Sequence, residues 1–160
     1  MNKKPARFEI VTPKGYRRKS LPFFQEWVDA LESGNFRQVT GTLAEPKGSK
    51  SLGYCCLGVL CRVQGRLVKD RAENEWYDQS PLFNPNDEWD GSGKNDNMRS
   101  AGDIAGSNPS YKALRNNGNF PKEVWVIMND NRYTSLVDCN DSAKLTFKEI
   151  AQVIRRIWKA

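Results

Sequence analysis

The side chains best suited to chemistry in this 160-residue chain are four cysteines: Cys55, Cys56 and Cys61 close together, and Cys139 far along the sequence. A tetrahedral zinc site draws on thiolate pairs separated by two to four residues, often completed by histidine. Here Cys56 and Cys61 have four residues between them, Cys139 is distant, and the chain contains no histidine. That pattern argues against zinc. A nucleophilic thiol needs a neighbouring base or cation to lower its pKa. The string YCCLGVLC supplies apolar neighbours instead, which raise it. The expected role of these cysteines is packing within a helix interface, with Gly58 allowing close approach. No metal and no cofactor is expected.

The lack of histidine has wider consequences, because imidazole is the side chain whose ordinary pKa suits proton transfer near neutral pH. Serine triads, Cys-His proteases, His-dependent nucleases and His-ligated zinc hydrolases are excluded. Catalysis would fall to carboxylates, Lys, Tyr or an unaided Cys. Acidic residues occur at Asp87 to Asp90 (DEWD), Asp138 and Asp141. Paired acids can serve a hydrolase or hold a divalent metal, yet no spacing recurs among these. GSGK at Gly91 to Lys94 matches part of a phosphate-binding loop but lacks its leading glycine pattern and a preceding strand. The chain reads as a protein without catalytic equipment, and a carboxylate-metal enzyme is a minor alternative.

The elements that must position these residues follow from length and pattern. A chain of this size holds one ordinary core, and a composition that is 38% hydrophobic with five tryptophans excludes a wholly disordered chain. No apolar run approaches the roughly 18 residues of a membrane span, and Met1 to Ser20 lacks a secretory apolar stretch. A cytoplasmic protein with reduced thiols is expected. The net charge of +6 is uneven: residues 1 to 19 carry Lys3, Lys4, Arg7, Lys14, Arg17, Arg18 and Lys19 against Glu9 alone, and the remainder is balanced. A basic N-terminal arm of this kind either solubilises the protein or binds nucleic-acid phosphates.

The fold class expected is α+β, a single domain over 20–160 with helices around a small antiparallel sheet. A first helix is expected from Leu21-Pro22, capped by Ser20 and ended by Gly34, with Phe24, Trp27, Val28 and Leu31 on one face. FRQVTGTL (36–43) fits a short strand, and Ala44 to Gly53 a loop. YCCLGVLCRV should form the buried central helix, from about Cys55 to Val63 and ended by Gly65. Asp78 to Asn119 is rich in Asn, Asp, Gly and Ser and reads as a long loop. FPKEVWVIM is a short helix or a buried strand, and Arg132 to Val137 a strand. Thr146 and Glu149 form a capping box for a last helix whose apolar face is Phe147, Ile150, Ile154, Ile157 and Trp158. Arg155, Arg156 and Lys159 at its end suit the helix dipole.

Several strings taken together resemble one family. They are Trp27, Ala30, Leu31, Ser33 and Gly34; Phe36, Arg37 and Gln38; Gly41 and Leu43; Tyr54 to Cys61; Phe120 to Val124; and Cys139 to Ile154. This series is similar to WxxALRSG, YCCLGVLC, LPxEV and LNDxxxxSFxxIAxxI, in that order, in a family of uncharacterised bacteriophage and prophage proteins. The likeness covers about 21–64 and 120–158. Cys139 and Phe120 stand where that family usually has Leu. The resemblance implies an accessory protein in the cytoplasm of an infected bacterium, with no activity transferable residue by residue.

A binding function is the expectation that follows. One form is a counter-defence factor that blocks a host protein or sequesters a nucleotide, with Tyr54, Gly58, Asn140 and Asp141 as candidate contacts. The other is a nucleic-acid-binding protein using the basic arm, with Trp and Tyr side chains stacking on bases. No membrane partner is expected.

Overall fold

A computed structural model describes residues 7–21, 23–46, 52–64 and 118–160, together with the backbone of 67–70 and 75–78. Of the loop expected over Asp78 to Asn119, Asp78 belongs to a strand and residues 79–117 lie outside the described residues, as do Lys3, Lys4, Asp87 to Asp90 and Gly91 to Lys94.

Helix α1 (Phe24–Glu32) buries Phe24, Trp27, Val28 and Leu31, the i, i+3, i+4, i+7 stripe that one helical face requires. It starts later than the sequence implied: Phe23 stands at the N-cap without a side-chain cap, and Ser20 belongs to a strand. Gly34 ends the helix at φ +78°, a conformation glycine adopts without steric cost. Helix α2 (Cys56–Val63) is apolar nearly all round, and every residue from Cys56 to Cys61 is buried. A helix of that kind must lie inside. The Trp27 indole N–H donates to the Cys56 carbonyl at 2.9 Å and ties α1 to α2 within the core.

Helix α3 (Leu136–Asp141) begins at Ser135, whose hydroxyl accepts from the Asp138 N–H. Helix α4 (Phe147–Ile157) starts with the expected capping box, Thr146 and Glu149 each accepting from the other's backbone. Its face of Phe147, Ile150, Ala151, Val153, Ile154 and Ile157 packs on α1 and α3, while α2 packs between α1 and α3. Trp158 is fully buried but lies past the helix end.

Small sheets surround this helical centre, so the class is α+β, with several short sheets in place of one. Strand β1 (Glu9–Val11) pairs antiparallel with β8 (Trp125–Met128), which pairs antiparallel with β9 (Asn131–Tyr133). The second half of FPKEVWVIM is therefore a strand, and it turns into β9 through Asn129 and Asp130, both at positive φ, the two-residue turn that matches strand twist. Strand β2 (Lys19–Ser20) pairs parallel with β10 (Trp158–Lys159). Strand β5 (Leu52–Tyr54) lies between β3 (Arg37–Gln38) and β4 (Ala44–Pro46), parallel to the first and antiparallel to the second. The segment expected as a loop over Ala44 to Gly53 thus holds two strands. Strands β6 (Leu67–Asp70) and β7 (Glu75–Asp78) form an antiparallel pair.

Residues 7–20 do not stand off from the body. Besides the β1 and β2 pairings, Tyr16 donates its hydroxyl to the Ile157 carbonyl at 2.8 Å, and Arg156 donates to the Thr12 hydroxyl at 2.9 Å. The expected boundary after residue 19 falls inside β2, and the segment is a strap laid across the end of α4.

Candidate functional site

Asn140, Gly58 and Tyr54 converge, but on the core. Asn140 is fully buried and every polar position of its side chain is used. Its Oδ1 accepts from the Gln38 side chain at 2.9 Å and from the Cys56 N–H at 3.2 Å. Its Nδ2 donates to the Val39 carbonyl at 2.9 Å and to Asp141 Oδ1 at 2.7 Å. One amide thus satisfies the end of β3, the first turn of α2 and its own helix. Gln38 donates in addition to the Leu145 carbonyl. A buried polar group with all its partners supplied by the chain offers nothing to a ligand.

Gly58 is the point where α2 meets the Leu43 backbone. A Cβ there would lie 1.8 Å from the Leu43 carbonyl oxygen, so the close approach demands glycine. Tyr54 is buried at the end of β5 and packs edge-to-face on Phe36, with ring centroids 5.5 Å apart. These three candidate contacts hold the fold together.

Asp141 is different. It is half-buried at the end of α3, and it lines a cleft of about 150 Å³ with Gly41, Thr42, Leu43, Cys55, Leu57 and Val137. Ordinary small-molecule sites occupy about 300–1,000 Å³, so this cleft holds a handful of atoms and no nucleotide. A second, wider depression of about 460 Å³ lies over β1 and β8, lined among others by Arg7, Glu9 and Asp130. Two carboxylates and one cation, already engaged elsewhere, make it a poor phosphate site.

The cysteines are inert for a physical reason. Cys55 caps α2, its sulfur accepting from the Gly58 N–H at 3.3 Å, and burial pushes its thiol up to about 11. Cys56 donates to the Leu136 carbonyl at 3.6 Å and is pushed up by burial and by the neighbouring Cys55 and Cys139. Burial, with Asp138 adding to it, places Cys139 at about 12. All three stay protonated at neutral pH, and a thiol is a poor nucleophile. Among the described residues no group of three His, Cys, Asp or Glu side chains is placed to hold a metal ion.

The basic residues divide into two sets. Arg7 is committed: its guanidinium makes a fork to Glu149, with Nε to Oε2 at 3.0 Å and Nη2 to Oε1 at 2.8 Å, and reaches the Lys144 carbonyl. Partial burial pushes the Glu149 carboxyl up, but Arg7 and the Thr146 backbone outweigh it and hold the group below its usual value. Lys14, Arg17, Arg18 and Lys19 are exposed along the strap. The β2–β10 pairing sets Lys19 opposite Trp158 and Ser20 opposite Lys159, and Arg18 donates to the Arg155 carbonyl. The strap therefore runs past the C-terminal end of α4, which carries Arg155, Arg156 and Lys159. Arg155 is paired with Glu32. Sequence reasoning assigned these last three to the helix dipole. That the strap runs beside them depends on a parallel pairing between two distant parts of the chain, which has no local signal.

The aromatic side chains beside the strap are turned inward. Trp158 is fully buried, and the Tyr16 hydroxyl is bonded to Ile157. Elsewhere, Trp27 is buried and half-buried Trp125 carries Arg132 over its ring at 4.2 Å.

Fold and site together define a small α+β protein in which Tyr54, Gly58 and Asn140 belong to the core and the strap carries a run of exposed cations. The chain belongs to the family described as a domain of unknown function (DUF8296), which matches residues 23–158. No curated protein and no solved structure matches it.

Proposed function

We propose that this protein is a non-enzymatic bacteriophage accessory protein that binds the phosphate backbone of duplex nucleic acid. The phage assignment rests on the motif resemblance. The observation that carries the binding function is the strap itself, whose exposed Lys14, Arg17, Arg18 and Lys19 run past the end of α4, where Arg156 and Lys159 are exposed as well. A cluster of exposed cations releases counterions from a polyanion and needs no enclosed pocket. Single-strand binding draws much of its energy from bases stacked on aromatic rings, and the aromatic rings beside the strap are engaged within the protein. A duplex, recognised by its backbone, is the better fit. The small apolar cleft gives no support to nucleotide sequestration.

The test is fluorescence anisotropy with a short duplex and its single strand at several salt concentrations. If about five phosphates are neutralised, log K falls with a slope of about −4.5 against log salt, about a 500-fold loss between about 50 and 200 mM. The double variant Arg17→Glu, Lys159→Glu should weaken duplex binding more than tenfold and flatten the slope. Binding that ignores salt, or that survives the double variant unchanged, would refute the proposal.

A further inference from the structure

The sheet of β1, β8 and β9 turns one face to the core and the other away from it. Ile10, Val126 and Tyr133 stand opposite one another in register. Val126 is fully buried, and Ile10 and Tyr133 pack against the core, so this row points inward. Successive residues of a strand point to opposite faces. Glu9 and Val11 on β1, Trp125 and Ile127 on β8, and Arg132 on β9 therefore point outward. Val11, Trp125 and Ile127 are half-buried, and they belong neither to the core cluster nor to the apolar side chains packed against it. The outer face of an antiparallel sheet is commonly polar, whereas this one carries three large apolar side chains.

The charges on the face have opposite signs at its two edges. Register sets Glu9, Ile127 and Arg132 in one row across the sheet, the acid on one outer strand and the base on the other. Both are exposed, and among the described residues neither forms an ion pair. The Arg132 guanidinium lies over the Trp125 ring, 4.2 Å from its centroid. A guanidinium stacked in this way keeps its in-plane N–H donors available to a carboxylate.

A row with an acid at one end, a base at the other and an apolar centre is complementary to itself. A two-fold axis laid along β8 above Ile127 turns a second copy over onto the first. Each Glu9 then meets the other copy's Arg132, while Ile127 meets Ile127 and Trp125 meets Trp125. Such an isologous contact pairs residue i with j and j with i, and it is the commonest symmetry of homo-oligomers. We infer that this face is the contact for a second copy of the chain, with the two sheets stacked about 10 Å apart. A polyanion is the poorer occupant, because Glu9 stands in the row and cancels the charge of Arg132. Three short strands about 4.8 Å apart supply only part of the roughly 800 Å² that each partner contributes to a standard interface. The pairing is accordingly weak, with the two copies in exchange at micromolar concentration.

The test is sedimentation velocity of the full chain, free of nucleic acid, from low to high micromolar concentration, with ¹⁵N spectra of the Trp125 indole recorded alongside. The sedimentation coefficient should rise toward that of a dimer, and the Trp125 resonance should move along the same curve. Glu9→Arg or Arg132→Glu sets like charges against each other and should weaken self-association by at least about tenfold, while each spectrum stays that of the folded protein. Mixing the two single variants should restore association, because one copy then has two basic ends and the other two acidic ends. That rescue separates a lost contact from a lost fold. Association untouched by either variant, or a mixture that fails to pair where the parent does, would overturn this face as the contact. A chain that stays monomeric throughout would overturn the second copy as its occupant, and movement of the Trp125 resonance with a single-stranded oligonucleotide would then give the face to stacked bases.

Discussion

Replacing Asn140 by Ala tests whether this buried amide is part of the fold's framework or a contact for a ligand. The substitution leaves two buried backbone groups without partners, the Cys56 N–H and the Val39 carbonyl, while Gln38 keeps its bond to Leu145. Each orphaned buried group costs about 1–3 kcal/mol. With the space left by the lost side chain, the expected destabilisation is about 3–5 kcal/mol. A domain of this size is stable by about 5–15 kcal/mol in all, so the variant should lose about a fifth or more of its stability. Its midpoint should drop by about 6–20 °C.

Urea denaturation is the assay, because an unchanged m-value shows that the loss lies in the native state and not in the compactness of the unfolded chain. Asp141→Ala is the control. It removes one hydrogen bond from a half-buried carboxylate that water can still reach, and it should cost under about 1 kcal/mol. If Asn140→Ala loses no more than Asp141→Ala, the amide does not hold the helices together and a ligand-contacting role returns.

Two further predictions concern titration. Cys55 and Cys139 have folded pKa values raised to about 11 and about 12, so their burial stabilises the fold fully below the ordinary thiol range of about 8.5 and the benefit is lost as pH rises through those values. Iodoacetamide at mildly alkaline pH should label them slowly in the folded protein and rapidly in urea; equal rates would contradict the burial. Glu149 behaves in the opposite sense, its folded pKa being held low by Arg7 and Thr146 against partial burial. Its contribution is present above the ordinary carboxylate range and lost as pH falls through the lowered value. Arg7→Ala should therefore be less stable than the parent at neutral pH and converge with it in acid, which thermal melts across that range will show. A constant gap at all pH values would remove the ion pair from the account.

What could be read from the sequence was local. The capping box at Thr146, the stripe through Phe24, Trp27, Val28 and Leu31, and the apolar run of α2 each depend on neighbours within a few residues, and all three appear where their spacing put them. The strands are two to four residues long, too short to carry a period, and they exist because a distant partner holds them. Ser20 had the type of a helix cap and became a strand residue because Lys159 stands beside it. Asn140 had the type of a ligand contact. A polar side chain in a distinctive motif looks the same in sequence whether it meets a substrate or satisfies buried backbone, and only the positions of Val39 and Cys56 decide between the two.

That ambiguity explains why so specific a string as YCCLGVLC says little about function. Cys55 caps the helix with its sulfur, Cys56 presents its N–H to Asn140, Gly58 admits the Leu43 backbone, and Tyr54 packs on Phe36. Each position is constrained by packing or by a hydrogen bond inside the core, where a change of even one methylene is felt. The family match begins at residue 23, whereas the strap cations Lys14, Arg17, Arg18 and Lys19 precede it. A relative that retains Gly58 and Asn140 but lacks a basic strap should therefore keep this fold and lose the salt-dependent duplex binding. Grafting residues 7–20 of this chain onto such a relative should restore the binding, because the α4 end that receives the strap lies within the matched region.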